Sequence, residues 1–397
     1  MIRFPDLASP RFKADPHPFY ARLRNEAPVV RVRPALWLPP MWLLTRYDDV
    51  LAVMKDTERF SNVYVTKIPY TPRWMRPYYR QLLTVDPPDH GRLRALVQKA
   101  FTPRLVEGLR GRIETLCDEL LDEAAKQQSF DLIRHYALPV PLTVISELLG
   151  IPAQDRGKFA AWTVKLAASS SGTLFDMITM MPAAWRFLQY FKKLTALRRN
   201  APRNDLLSAL IRAEEAGDKL NEEELLGMIM LLLIAGYETT VNLIATGTLA
   251  LLENPQQLES FRNDPAIGES AIEELLRYTS PADIGSPRVA REEVRIGSVT
   301  IPGGAILLLV IGSANRDATR FHDPDTLDLA RDPNKHLAFG MGAHFCVGAP
   351  LARLEGSIAL TKLMKRFPNL KLATPAQSLR WRRGLAFRAL KALPVVP

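Results

Sequence analysis

From Leu225 to Leu252 the chain runs for about eight helical turns with one charged residue, Glu238. A stretch so apolar fits either a bilayer or the centre of a large protein. A carboxylate midway along a lone span costs roughly 2.5–3.5 kcal/mol on insertion scales, and Gly236, Thr239, Thr240 and Asn242 gather beside it. No basic asymmetry flanks the stretch. The pattern therefore predicts a helix buried through one large domain, 1–397, and no membrane span. A hydrophobic content of 47% is enough to surround such a helix. No Gly/Ser linker, internal repeat or low-complexity run divides the chain.

A second constraint lies between Phe339 and Glu355. Gly340, Gly342 and Gly348 surround Cys346, so the backbone there is free to turn tightly and to approach a flat ligand. After Gly348 the spacing of Leu351, Leu354, Ile358, Leu360, Leu363 and Met364 predicts a helix over 349–367, with Pro350 in its first turn. Cys346 thus precedes a helix start, where dipole and free amides favour a thiolate. The thiolate is a metal ligand, or a nucleophile with His344 as base; the plainer alternative is a buried structural cysteine. Phe339 and Phe345 suit a buried planar ligand. With Cys117 the only other cysteine, a disulfide framework is not expected and a four-cysteine zinc or iron–sulfur site is excluded. Cys117 falls in the stripe Ile113, Leu116, Leu120, Leu121 and reads as core.

Several further segments need partners that the sequence alone does not name. The prolines before Asp89 predict a helix start capped by that residue, and His90 and Arg94 then share one face. The proline-interrupted run 59–83 reads as a long ordered loop. Glu274 and Arg277 are spaced as an ordinary surface ion pair. Strands are expected between Arg288 and Ile311, turning at Gly297 and at 302–304. The formal charge of +10 is dispersed rather than massed, which predicts a solvated basic surface and no nucleic-acid partner. Met1 to Tyr20 holds five charges and no apolar core of signal length, which predicts a cytoplasmic protein.

Along the chain, Ala235-Gly-Tyr-Glu-Thr-Thr240 is followed by Glu274-x-x-Arg277 and then, from Phe339, by Phe-x-x-Gly-x-His-x-Cys-x-Gly with Ala-Arg after it. The chain resembles the cytochrome P-450 superfamily, most closely its soluble bacterial members, over about Asp86 to Pro394. The resemblance implies a mainly α fold, a helical triangular prism with small β-sheets, holding haem b. It makes Cys346 the proximal iron ligand. His90, Arg94, Arg288 and His344 would meet haem propionates, and Ala235, Gly236, Phe339, Gly340 and Gly348 would line the ring. Glu238 and Thr239 would deliver protons to bound dioxygen; family members driven by peroxide lack this acid–alcohol pair. Glu274 and Arg277 would be buried and would lock the loop leading to Cys346. Tyr64, Ile68, Tyr70, Trp74, Ile234, Asp283, Ile284 and Leu385 become pocket candidates, with Lys67, Arg73 and Asp283 as polar anchors.

The implied activity is hydroxylation of an apolar organic molecule. Epoxidation, dealkylation, coupling, or a haem-thiolate carrier without turnover stand as alternatives. Electrons would come from a separate ferredoxin or flavodoxin-type donor with its NAD(P)H reductase. Its landing site would be basic, drawing on Arg92, Lys99, Arg104, Lys362, Lys365 and Arg366.

Overall fold

A computed structural model describes residues 4–34, 39–64, 77, 80–167, 174–215, 221–264 and 267–397. Two short helices, α1 (Pro10–Ala14) and α2 (His17–Glu26), lead into β1 (Val29–Val32), β2 (Met41–Leu44), α3 (Tyr47–Lys55) and β3 (Phe60–Ser61). Helices then dominate: α4 (Asp89–Ala100), α5 (Pro103–Gly108), α6 (Arg110–Ala124), α7 (Pro139–Leu148), α8 (Arg156–Ala167), α9 (Leu174–Asn200) and α10 (Leu206–Glu215). The strand β4 (Phe130–Asp131) and a π-turn at Ile133–Ala137 interrupt them before α7. The long α11 (Glu222–Glu253) follows, then α12 (Pro255–Asn263) and α13 (Gly268–Thr279).

Strands β5 (Arg288–Ala290), β6 (Val294–Ile296), β7 (Val299–Ile301) and β8 (Ile306–Leu309) precede the single turn α14 (Ile311–Ala314). The last elements are α15 (Ala349–Arg366), β9 (Lys371–Leu372) and β10 (Pro394–Val396). One sheet has the order β1-β2-β8-β5-β3, parallel only between β2 and β8; β4-β10-β9 and β6-β7 form two smaller antiparallel sheets.

The helix expected over 225–252 is α11, extended by one capped turn. Asn221 accepts from the Glu224 amide while Glu224 reaches back to the Asn221 amide, and Glu222 and Glu223 add charge that suits a helix N-terminus. The helix is long and apolar enough to cross a membrane, but α7, α13 and α15 pack around it and most of its side chains are buried. Packing is close: a Cβ on Gly356 of α15 would lie 2.6 Å from Leu243 Cδ2 of α11. Near the start of α11 a Cβ on Gly227 would stand 2.3 Å from the Pro77 carbonyl oxygen, so only glycine fits.

One expectation fails locally. Asp89 does not cap α4; Pro88 occupies the N-cap and Asp89 is the first helical residue, where its charge still faces the helix dipole favourably.

Between α13 and the cysteine segment the chain has little regular structure, and a buried ion pair holds it. Glu274 and Arg277 are both fully buried. Arg277 Nε and Nη2 donate to Glu274 at 2.7 and 2.8 Å, and Nη1 donates to the carbonyls of Asn315 and Pro324, both at 2.8 Å. Glu274 also accepts from the Asp328 amide, Arg331 Nε and Asn334 Nδ2. Every charge in the group is met, and the partners are spread along 315–334. Asn315 Oδ1 in turn accepts the Leu337 amide at 2.7 Å, which carries the constraint to Phe339. Arg277→Ala leaves Glu274 buried with part of its charge unmet, and should cost about 3–5 kcal/mol in urea unfolding; a loss below about 1 kcal/mol would contradict this role.

Candidate active site

Cys346 stands at the end of a narrow backbone loop. Its amide donates to the Phe339 carbonyl at 2.9 Å, closing the loop, and Gly340 and Gly342 take φ of +69° and +75°. A Cβ on Gly342 would meet the Met54 carbonyl oxygen at 3.0 Å, so the loop is pressed against the end of α3. Gly348 caps α15, and the amides of Gly348 and Ala349 both point at the Cys346 sulfur. Burial pushes this thiol up, and the two amides, Arg94 and Arg353 pull it back only in part. The helix start alone therefore does not make the thiolate; burial outweighs it, and a bound cation is what would deprotonate the sulfur.

Four cationic or donor side chains from three separate segments converge beside this loop. His90 of α4 lies against His344, ring centroids 4.0 Å apart. Arg94, one turn along, donates to the Phe345 carbonyl at 2.8 Å. Arg288 of β5 is buried and donates to the carbonyls of Ser286 and Pro287. His90 Nε2 and His344 Nε2 are buried without a partner. Burial and the neighbouring His90, Arg288 and Arg94 hold His344 down at about 3, and burial takes Arg288 to about 10. So much unmet positive potential needs an anion. The carboxylates at the edge of a flat ring fit it.

The opposite wall comes from α11. Along this buried helix Ala235 is exposed, and Ile234 and Thr239 are partly so, which leaves one accessible strip. A Cβ on Gly236 would point toward Ile145 of α7 at 3.7 Å, an ordinary contact, while Ala235 beside it is the exposed position. Thr239 Oγ1 donates to the Ala235 carbonyl at 2.9 Å. Without another partner a helical threonine bonds back one turn in this way. Glu238 is buried, and its carboxylate accepts from Arg382 at 2.5 Å. Arg382 was not foreseen; it lies 144 residues away in sequence, and no motif marks it.

The pocket candidates divide. Ile68, Tyr70 and Trp74, with Lys67 and Arg73, lie outside the described residues. Tyr64, Ile284 and Leu385 meet in one apolar cluster with Leu7, Phe12 and Tyr20 of the N-terminal segment. Asp283 is not a free polar anchor. Its Oδ2 accepts from Lys13 Nζ at 2.5 Å and from the Tyr20 hydroxyl at 3.0 Å, all three residues being buried. The charge is spent on holding α1 and α2 to the body.

On the cysteine side Phe339 lies under the Arg353 guanidinium, 4.5 Å from the ring centroid. Arg353 and His336 bind Glu273, and although burial would raise that carboxyl, these bonds hold it at about 2. The basic candidates around α4, α5 and α15 are partly neutralised: Arg92 binds Glu224, Lys362 binds Asp118, and Arg366 binds Asp122. Lys99, Arg104 and Lys365 are exposed.

A cysteine at a helix start, an accessible strip on a buried helix and a cluster of two arginines and two imidazoles with unpartnered nitrogens would suit a flat, dianionic, metal-bearing cofactor. The comparisons agree. The Cytochrome P450 family matches residues 7–382. Over 99% of this chain and 98% of the relative's, it is 46% identical to Cytochrome P450 107B1 of Saccharopolyspora erythraea. It is 42% identical to the polyketide biosynthesis cytochrome P450 PksS of Bacillus subtilis, over 97% of this chain and 96% of that one. Among solved structures, the myxobacterial cytochrome P450 CYP267B1 in complex with myristic acid superposes with a TM-score of 0.93 at 40% identity, covering 99% of both chains. The chain belongs to the cytochrome P450 family. It is a haem-dependent monooxygenase that oxidises organic substrates with electrons from a separate redox partner.

One buried acid stands apart. Glu355 of α15 is 1% exposed, its Oε2 has no partner, and burial pushes it up to about 8 against a pull from Thr240. A carboxyl raised on folding stabilises below its unfolded value of 4.5 and loses that stability as pH rises toward 8. Glu355→Gln should therefore flatten the fall in melting temperature between these limits, where the wild type loses up to roughly 1.4 kcal/mol per pH unit. Parallel wild-type and variant curves would contradict the assignment.

Proposed function

We propose that this single-domain, cytoplasmic monooxygenase binds haem b through Cys346 and seats its propionates on His90, Arg94, Arg288 and His344. The observation that carries this reading is the pair of buried imidazole nitrogens with no partner beside the cysteine loop. When bound, the haem supplies activation of dioxygen and insertion of one oxygen atom into the substrate. The chain's own residues bind, orient and deliver protons.

Two backbone amides aimed at the Cys346 sulfur stabilise its charge and orient it. Ala235, with no side chain beyond Cβ, leaves room on α11, and Phe339, Gly340 and Gly348 shape the other wall. Thr239 exchanges its bond to the Ala235 carbonyl for one toward the opening, so its hydroxyl presents a proton there. Glu238 resupplies that proton. Its partner Arg382 is one-third exposed, so turning the carboxylate from Arg382 to Thr239 links solvent to the interior.

The substrate we infer is a large apolar molecule of polyketide or fatty-acyl type. Relatives named for polyketide biosynthesis and for a myristic acid complex support this, as do the apolar candidates Tyr64, Ile284 and Leu385. Asp283 is removed from the pocket set, and Ile234 stays in it on its accessible position. The electron donor is a ferredoxin or flavodoxin-type protein drawn to Lys99, Arg104 and Lys365. Thr239→Ala should leave NAD(P)H consumption largely intact while product per NAD(P)H falls several-fold and peroxide rises. Assay of product and peroxide together checks this; unchanged coupling would contradict the proton-delivery role.

A further inference from the structure

A second cavity of about 370 Å³ lies where the start of α2, the end of α11 and the end of α13 meet. It is remote from the haem side. Leu249, in its wall, is about 15 Å along α11 from Thr239. Three features mark it as more than a packing gap. His17 has two buried ring nitrogens without partners, and Arg316, 6% exposed, has an unpartnered Nε. Arg388 spends its guanidinium on the carbonyls of Lys13 and Ala14, with no carboxylate bound to it among the described residues. Finally α2 is uncapped, with Pro16 at its N-cap, so its positive end opens at His17.

The unpartnered nitrogens of His17 and Arg316, rather than the net charge of the wall, call for a ligand that accepts hydrogen bonds. Burial and four arginines, Arg316, Arg388, Arg24 and Arg277, hold the His17 imidazole well below its usual range, so it is a neutral ring with one N–H to donate. Of the acids in the wall, Asp325 is bound to Arg316 at 2.9 Å and Asp15 is exposed. Glu253 is exposed at the rim, where Arg388 offsets part of the rise that burial gives its carboxyl. The walls also carry aromatic faces: Arg316 stacks 4.0 Å from the Tyr278 centroid and Arg388 4.2 Å from that of Trp381. A bare ion would leave this volume and these faces unused.

We propose that this cavity is a second ligand site, separate from the haem site, that takes a small organic carboxylate. The carboxylate would sit between His17, Arg316 and Arg388, with its apolar body against Leu249 and the aromatic walls. Binding would tie the N-terminal helices to the end of α11.

The test uses the haem-loaded enzyme, with sodium benzoate compared against benzamide and against sodium chloride at equal ionic strength. Benzoate should raise the melting temperature saturably, by about 3 °C at a hundredfold excess over its Kd, without shifting the ferric Soret band. His17→Phe keeps the ring volume and removes nitrogens that bond to nothing, so it should fold and turn over normally yet lose at least tenfold in benzoate affinity. Equal stabilisation by benzamide, an equal response in His17→Phe, or no rise with benzoate would each overturn the proposal.

Discussion

The structure depends on the buried Glu274–Arg277 pair more than on any other polar contact. Two charges removed from water gain little net stability from each other. What they gain is position: a guanidinium and a carboxylate, each with several fixed directions, tie six separate points of an irregular segment to one helix. Asn315 passes that order to Leu337, and Arg353 and His336 meet on Glu273 one residue before the pair. The cysteine loop is thus held by side chains on both flanks. Regular backbone hydrogen bonding could not do this, since the loop must stay open toward a ligand.

Against that rigid flank the molecule sets hydrogen-bond donors that its own residues do not fully satisfy: two arginines without a bound carboxylate among the described residues and two neutral imidazoles, each with an unpartnered nitrogen. His90, Arg94, Arg288 and His344 come from α4, β5 and the cysteine loop, and their convergence costs folding energy that, in the proposed assignment, the bound cofactor would return. The same logic separates them from Asp283, whose charge is met within the protein by Lys13 and Tyr20. Charges met internally serve structure, and charges left unmet mark ligand sites. By that criterion the cavity around His17 and Arg316 groups with the haem side.

Much of this was legible in the sequence where the signal is local. The run with the single charge of Glu238 marked the central helix to within a few residues, since burial on nearly all sides demands apolar residues there. Cys346 at a helix start, and the His90–Arg94 face, follow from spacing alone. Long-range pairing was not legible: nothing near Glu238 announces Arg382, and nothing near Asp283 announces Lys13. The direction of Gly236 was not legible either, because a glycine in a helix can face a neighbour or a ligand, and only the fold shows that its bare side is toward Ile145. Asp89 misled because proline at the N-cap displaced the expected cap by one residue.

The central claim is that Cys346 binds the iron as a thiolate, although burial favours the neutral thiol in the protein alone. The absorption spectrum of the dithionite-reduced, CO-bound enzyme tests it most directly, because the axial ligand sets the position of the Soret band. A strongly red-shifted band in the wild type, lost in Cys346→Ala, is the predicted result. A band where a histidine or neutral thiol ligand places it, in freshly prepared active enzyme, would contradict the account.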